Sequence, residues 1–226
     1  MTPERHRRIL RVLERRQPDL TVLLEGVHKP HNLSAIQRTA DAVGVLEIHA
    51  VAPERPYRGH RKTAMGSEKW VEAHNHADIE SAIAHLRGRG FRIVAAHLSG
   101  RAVDFRCWDY TAPTALLMGT EKYGVSERAL ARVDGEVMLP MVGMVASLNV
   151  SVAAAVLLYE AQRQRQAAGL YDRPRLSAEE IRRRLFRLGY PRLAARYDAL
   201  GLPYPRLGED GTLLDPVPEA IRRRRA

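Results

Sequence analysis

The chain has 226 residues, of which 45% are hydrophobic, and it carries a formal net charge of +10. This length is enough for one globular domain with flanking extensions. A single cysteine, Cys107, excludes an internal disulfide and argues against a structural zinc site, so no metal is expected. No apolar run is long enough to span a membrane, and no apolar segment follows the basic N-terminus as in a secretory signal. We therefore expect a cytoplasmic protein that does not bind membranes.

The arginines are concentrated at the two ends of the chain. Residues 1–16 contain six arginines and two glutamates, and residues 172–226 contain thirteen arginines and eight acidic residues. Arginine presents a planar fork of donors that matches phosphate, which favours a nucleic acid as the partner. The alternative is that these arginines only keep surface helices soluble.

Hydrophobic periodicity in the first half of the chain predicts alternating strands and helices. Residues 5–16 form a basic amphipathic helix that ends before Pro18. The predicted strands are 20–27, 46–52, 70–74 and 91–99, and the predicted helices between them are 32–44 and 78–90. Residues 53–69 are rich in proline, glycine and charge and are interpreted as an exposed loop.

The second half repeats this alternation. Strands are predicted at 114–119 and 135–141, and helices at 127–133, 148–167, 177–188 and 191–200. Strands that alternate with helices imply an α/β fold with a mainly parallel sheet. The predicted domains are a basic helical extension (1–18), a central α/β domain (19–168) and an Arg-rich helical extension (169–226).

Three of the predicted strands are followed by loops that combine glycine or proline with polar side chains. Ligands of parallel sheets bind in the loops after the carboxyl ends of the strands. The candidates are Asn32 and Arg38 after the first strand, Gly119 and Glu121 in "MGTEKYG", and Ser147 and Asn149 in "LPMVGMVASLN". Their shared strand end favours one common site.

Each candidate side chain also has an ordinary structural explanation. Asn32 or Ser147 can cap the helix that follows, and Asn149 is tolerated in a first helical turn. Arg38 and Glu121 can simply face solvent. Neither the spacing of a P-loop nor a Gly-x-Gly-x-x-Gly dinucleotide motif is present.

Three stretches, "NLSAIQRTADAVG", "LLMGTEKYGVS" and "LPMVGMVASLNVSVAAAVLLYEAQRQRQ", resemble the motifs of the SPOUT methyltransferases. Together with the flanks, they resemble more narrowly the TrmH-type tRNA guanosine-2′-O-methyltransferases, and the likeness extends to about residue 205. The resemblance implies S-adenosylmethionine-dependent methylation of a guanosine ribose at position 18 of the tRNA D-loop. It also implies a homodimer and a deep trefoil knot within residues 91–160.

The resemblance further implies roles for individual residues. The expected catalytic residues are Asn32, Arg38, Glu121, Ser147 and Asn149. The expected cofactor-binding residues are Ala96, His97, Gly119, Leu139, Met141, Ser147 and Leu148. Arg38 is expected to orient the ribose hydroxyl rather than to lose its own proton, because the pKa of a free guanidinium exceeds 12. Whether His31 and Tyr123 contact the substrate stays open, as does the role of the tail after about residue 205.

A tRNA substrate gives the arginine-rich ends a function, because cationic side chains position RNA phosphates. The residues expected to contact phosphate are Arg7, Arg8, Arg11, Arg15, Arg16, Arg61, Lys62, Arg163 and Arg165. Two alternatives remain open, a ribosomal RNA ribose 2′-O-methyltransferase and a non-catalytic RNA-binding protein on the same scaffold. Relatives that act on ribosomal RNA tend to carry a separate globular N-terminal domain, so the short N-terminal helix favours tRNA.

Overall fold

The computed structural model describes residues 1–51, 70–120 and 122–222. The predicted loop 53–69 therefore lies outside the described residues. The chain divides into two compact units, one formed by Gln17–Leu170 and the other by Met1–Arg16 together with Tyr171–Ala226. Within the described ranges, no helix combines the length and apolar character needed to cross a membrane.

The elements alternate along the chain, as the periodicity predicts. The strands are β1 (Leu20–Glu25), β2 (Glu47–Val51), β3 (Glu72–His76), β4 (Arg92–Ala96), β5 (Val103–Asp104), β6 (Thr114–Met118) and β7 (Gly135–Met138). The helices are α1 (Pro3–Glu14), α2 (Pro30–Ala42), α3 (Ile79–Gly88), α4 (Glu127–Leu130), α5 (Val150–Ala167), α6 (Ala178–Gly189), α7 (Pro191–Ala199) and α8 (Glu219–Arg222), and a 3-10 helix covers Phe105–Cys107.

The predicted elements are confirmed in type and order, with shifted ends. The third strand begins at Glu72 rather than at residue 70, and α1 begins at Pro3 because the Thr2 side chain accepts a hydrogen bond from the Arg5 amide and caps the helix. Three elements were not predicted, β5, the 3-10 helix and α8. With two, three and four residues respectively, they are too short to show a hydrophobic period.

The described strands of the Gln17–Leu170 unit form one sheet in the order β3-β2-β1-β6-β4-β7-β5. Every neighbouring pair is parallel, so the expected α/β fold with a mainly parallel sheet is confirmed. At the centre, Leu23 on β1 pairs with His49 on β2 and with Leu117 on β6. Because the strands run in the same direction, the loops after β1, β4, β6 and β7 all leave the same edge of the sheet.

Helices cover both faces of this sheet. Val22 and Leu24 pack in one buried cluster with residues of α2 and α5, such as Ile36 and Leu157. Leu23, whose side chain points the opposite way, packs in a second cluster with residues of α3 and α4. Each buried aliphatic side chain contributes about 1.5–3 kcal/mol. The two cores fix the strands, and therefore the strand ends.

The second unit is helical. Its helix α1 packs on α6, and α6 packs on α7. An aromatic cluster holds it together, in which the ring centroids of Phe186 and Tyr204 lie 4.6 Å apart. Arginine is abundant on its helices, for example Arg182, Arg183 and Arg184 in α6.

Candidate functional site

A cavity of about 740 Å³ opens at the carboxyl edge of the sheet. Its walls come from the ends of β4, β6 and β7, from the loops that follow them, and from the first turn of α5. All seven residues predicted to bind cofactor lie in these walls, namely Ala96, His97, Gly119, Leu139, Met141, Ser147 and Leu148. The volume is within the usual range for a small-molecule site.

The loop after β6 is tightly closed. Thr120 and Gly124 exchange two backbone hydrogen bonds of 2.9 Å, and the Tyr123 amide donates to Thr120 Oγ1 at 2.9 Å. A Cβ on Gly119 would lie 2.1 Å from the Gly124 carbonyl, so only glycine fits at this position. The loop therefore presents the backbone of Gly119, Thr120 and Gly124 to the cavity. Glu121, predicted to be catalytic, lies outside the described residues.

The loop after β4 is held by a buried carboxylate. Glu136 on β7 accepts a hydrogen bond of 2.5 Å from Ser99 Oγ and pairs with Arg101. The hydrogen bond from Ser99 lowers the pKa of Glu136, and Arg101 lowers it further. The carboxylate thus stays ionised and fixes the segment next to His97 and Leu98, which line the cavity.

Asn32 and Asn149 meet beside the cavity. Asn149 Nδ2 donates to Asn32 Oδ1 at 3.2 Å, and Asn149 Oδ1 accepts from the Ser151 amide at 2.9 Å. Asn149 is therefore the N-cap of α5, and the alternative that Ser147 caps this helix is wrong. Asn32 does not cap α2 either, because Lys29 occupies that position and Asn32 is the third helical residue.

Arg38 lies on the exposed side of α2, six residues beyond Asn32 and about 9 Å further along the helix axis. Of the described residues predicted to be catalytic, Ser147 lines the cavity. Asn149 stands between Leu148 and Val150, which both line it. The structure thus brings Asn32, Ser147 and Asn149 to one edge, with Arg38 on the neighbouring helix.

The predicted phosphate contacts divide into exposed and buried residues. Exposed members are Arg7, Arg8, Arg11, Arg15 and Arg163. Arg163 pairs with Glu160 through two hydrogen bonds of 2.8 Å. The predictions for Arg16 and Arg165 are wrong, because their exposed fractions are 1% and 0%. Arg61 and Lys62 lie outside the described residues.

Arg165 serves the architecture of the sheet instead. Its guanidinium donates to Asp19 Oδ1 at 2.7 Å, to Gln17 Oε1 at 3.0 Å, and to the backbone carbonyls of Tyr110, Asp19 and Ala112. The group is saturated by protein acceptors and has no donor left for phosphate. In α5, Arg165 continues the buried stripe of Ala154, Leu158 and Ala161. The helical spacing of these residues in the sequence could therefore have indicated that Arg165 is buried.

Comparison with known proteins identifies the family. A model described as the SpoU rRNA Methylase family matches residues 19–159, and a model described as SpoU, rRNA methylase, C-terminal matches residues 163–216. A relative from Escherichia coli (strain K12), named tRNA (guanosine(18)-2′-O)-methyltransferase, is 55% identical over 215 residues, which are 94% of this chain and 94% of the relative.

Solved structures agree with this assignment. The A. aeolicus TrmH/SpoU tRNA modifying enzyme aligns with a TM-score of 0.79 at 44% identity, covering 84% of this chain and 96% of that chain. The SpoU methyltransferase AviRb from Streptomyces viridochromogenes, in complex with the cofactor AdoMet, aligns with a TM-score of 0.59 at 27% identity, covering 68% of this chain and 59% of that chain. The sheet order, the cavity at its carboxyl edge and these matches lead to one conclusion: the chain belongs to the SpoU methylase family, in the TrmH-type branch of the SPOUT superfamily.

Proposed function

We propose that this protein methylates the ribose 2′-oxygen of guanosine 18 in the D-loop of tRNA, with S-adenosylmethionine as the methyl donor. The proposal rests on the similarity to the relative from E. coli, which is named for this reaction. The alignment with that relative covers 94% of each chain. The cavity supports it, because the predicted residues of a cofactor pocket line one space at the sheet edge.

The cavity fits an adenosine-containing cofactor. Apolar side chains such as Ala96, Val137 and Ala153 suit a flat ring, and the backbone of the Gly119 loop supplies main-chain donors and acceptors. Bound S-adenosylmethionine supplies an activated methyl group. The protein then has two tasks, to align the ribose hydroxyl and to ease the removal of its proton.

We assign these tasks to the polar residues at the edge of the cavity. Asn149, fixed by its bond to Asn32, forms part of the wall on which the substrate lies, together with Ser147. Glu121 keeps its predicted catalytic role in this proposal. The Arg38 guanidinium orients the 2′-oxygen and stabilises the negative charge that develops on it, while phosphate or water accepts the proton.

The arginine-rich ends of the chain bind tRNA in this proposal. Arg7, Arg8, Arg11 and Arg15 are exposed on α1 and at its C-terminal end. They belong to the unit that also contains the Arg-rich helix α6, so the two extensions supply a single basic module. Contacts of this kind give affinity that falls steeply with salt, while selection of guanosine 18 requires an unpaired base.

We further propose a homodimer. Large apolar side chains are exposed beside the cavity and on α5, including Val142, Met144, Val152 and Tyr159, with exposed fractions of 105%, 103%, 48% and 54%. Exposed apolar residues concentrated in one part of a surface mark an interface, and a second copy of the chain is the occupant that the family resemblance implies. We also propose the trefoil knot that the family resemblance implies, within residues 91–160. We propose a cytoplasmic location for the enzyme, which is consistent with a tRNA substrate.

The test is to incubate the purified protein with labelled S-adenosylmethionine and unmodified tRNA and to map the methylated nucleotide. We expect label on the ribose of guanosine 18 and none on a tRNA in which adenosine replaces that guanosine. The family that matches residues 19–159 is described as an rRNA methylase family, so a parallel reaction contains unmodified ribosomal RNA. Label in ribosomal RNA alone would favour the rRNA enzyme, and RNA binding without transfer would favour the non-catalytic protein.

A further inference from the structure

Glu25, the last residue of β1, forms a long-range link to the loop that follows β6. Its carboxylate accepts a hydrogen bond of 2.9 Å from the Ser126 amide at Oε2 and one of 2.6 Å from Ser126 Oγ at Oε1. The partners are 101 residues apart in sequence. Both carboxylate oxygens are therefore used to hold one residue of the β6 loop.

Ser126 is the point at which the β6 loop ends. Its hydroxyl also accepts a hydrogen bond of 3.2 Å from the Ala129 amide and so caps α4. Between β6 and Ser126, the loop is shaped by its own contacts, chiefly the paired backbones of Thr120 and Gly124. The position of this loop relative to the sheet depends on what holds its two ends. β6 anchors one end, and Glu25 anchors the other.

A second contact brings the same loop against β1. Gly26 follows Glu25 directly, with a φ of +66°, and a Cβ at this position would lie 2.9 Å from Thr120 Cγ2. The turn after β1 and the β6 loop thus touch at two successive residues. Gly119, Thr120 and Gly124 of this loop line the cavity.

We propose that Glu25 is a positioning residue for the S-adenosylmethionine site. It does not line the cavity itself, and it acts by holding the β6 loop so that the backbone at Gly119, Thr120 and Gly124 meets the cofactor. This inference rests on the proposed function, because it takes the cavity as the cofactor site.

The hydrogen bonds between Glu25 and Ser126 can be weakened by a substitution that keeps the size of the side chain. Ser126 offers two donors, an amide and a hydroxyl, and a carboxylate can accept both. Glutamine has nearly the same shape but is neutral and has only one acceptor oxygen, so the charge-assisted bonds are lost and the Ser126 hydroxyl must turn from donor to acceptor. Glu25→Gln therefore disturbs the link while the volume at the end of β1 stays constant. Glu80→Gln is the matched control, because Glu80 ties the same helix α4 through Arg128 at 2.7 Å without contacting the loop.

The experiment measures the binding of S-adenosylhomocysteine, the stable demethylated cofactor, by calorimetry with the full-length protein. Glu25→Gln is expected to weaken binding about tenfold, since a hydrogen bond to a charged group is lost. The KM for S-adenosylmethionine should rise in parallel, while the KM for tRNA stays close to that of the unaltered protein. The Tm should fall by a few degrees, because the same hydrogen bonds stabilise the fold. Glu80→Gln should bind the cofactor normally.

Unchanged cofactor affinity in Glu25→Gln would overturn the proposal, as would an equal loss in Glu80→Gln or a lower Tm with normal affinity. If Glu25→Gln does not fold, Ser126→Ala and Ser126→Thr replace it. We expect Ser126→Ala to lose cofactor affinity and Ser126→Thr to retain it. Equal cofactor affinities in the two variants would contradict the positioning role of Glu25. Unaltered protein that binds cofactor without methylating tRNA would refute the proposed function alone, whereas no cofactor binding would refute both.

Discussion

Asn149 Nδ2 donates a hydrogen bond of 3.2 Å to Asn32 Oδ1 and so connects the start of α5 with the first turn of α2. The two residues are 117 positions apart in sequence. Asn32 is buried, with 1% of its surface exposed, whereas Asn149 is exposed next to the cavity. One amide side chain thus caps a helix with its oxygen and joins a second helix with its nitrogen.

Replacing Asn149 separates these two functions. Asn149→Asp keeps the capping oxygen but removes the Nδ2 donor, so we expect the cap of α5 to be retained and methylation to fall strongly. Asn149→Ala also removes the cap, and its free energy of unfolding should fall by about 1 kcal/mol. Urea unfolding and initial rates of methyl transfer measure the two effects. Full activity in Asn149→Asp would show that the bond to Asn32 is dispensable.

Arg38 is the proposed group that orients the ribose hydroxyl. Lysine keeps the positive charge but lacks the planar fork, so Arg38→Lys should lower kcat at least about a hundredfold. Cofactor affinity should not change, because Arg38 does not line the described part of the cavity. The equivalent change at Arg8, which is exposed on α1, serves as the control and should leave kcat unaltered. Normal turnover by Arg38→Lys would remove this residue from the mechanism.

The exposed arginines of α1 should contribute additively to tRNA affinity. Arg8→Gln and Arg11→Gln are each expected to weaken tRNA binding several-fold and to reduce the slope of log affinity against log salt by about one. Binding measured at several concentrations between about 50 and about 200 mM potassium chloride gives this slope. Arg87→Gln, an exposed arginine of α3, controls for the loss of charge alone. An unchanged slope in the α1 variants would mean that the helix does not contact phosphate.

Arg165 and Arg163 lie on the same helix and should differ sharply in their effect on stability. Removal of the Arg165 side chain leaves Asp19 and several carbonyls without their donor, so Arg165→Ala should cost about 3–5 kcal/mol of unfolding free energy. Arg163 is 66% exposed, and Arg163→Ala should cost less than about 1 kcal/mol. Denaturant unfolding compares the two variants directly. Equal costs would contradict the structural role assigned to Arg165.

A cluster of histidines at the edge strand should make stability depend on pH. His49 Nδ1 lies 2.9 Å from His76 Nε2, and the rings of His74 and His85 lie 5.2 and 5.5 Å from that of His49. Burial lowers the pKa of His49, and burial with the neighbouring histidines lowers the pKa of His76 to about 4. Burial opposes ionisation of Glu47, but the neighbouring His49 and Arg89 side chains outweigh it and hold its pKa at about 2.

The lowered pKa values of His49 and His76 make the protein less stable as the pH falls. Histidines of the unfolded chain titrate near pH 6.5, so between about pH 6.5 and 4 the unfolded chain binds more protons than the folded chain. The stability present above pH 6.5 is therefore lost as the pH falls through this window. Urea unfolding midpoints at about pH 7.5 and 5 test the effect. The difference between them should shrink in His76→Gln, and an identical difference in that variant would refute the role of the cluster.

Local patterns in the sequence were sufficient for the elements and for part of the site. Strands and helices follow from periods of two and 3.6 residues, and the motif loops follow from their glycines and polar residues. Which loops meet depends on the strand order, which is set by packing between residues far apart in sequence. The bond between Asn32 and Asn149 and the link from Glu25 to Ser126 belong to this second kind.

The wrong predictions have a different origin. Arg165 was assigned to RNA on charge, although its position continues the buried stripe of α5. Arg16, two residues beyond the end of α1, likewise continues the buried stripe of His6, Ile9 and Leu13 at helical spacing. The alternative explanation of Ser147 as a helix cap fails because α5 begins at Val150, with Asn149 as its cap.

The parallel sheet also makes the cavity a late product of synthesis. Its walls range from Ala96 to Ala153, and the last of them is the first turn of α5. A nascent or truncated chain that stops before α5 lacks this wall and cannot retain the ligand. Because a ligand that binds only the finished fold stabilises it, a cofactor concentration of ten times Kd should add about 1.4 kcal/mol to the unfolding free energy. Cellular S-adenosylmethionine would thereby protect completed molecules from proteolysis and leave unfinished ones exposed.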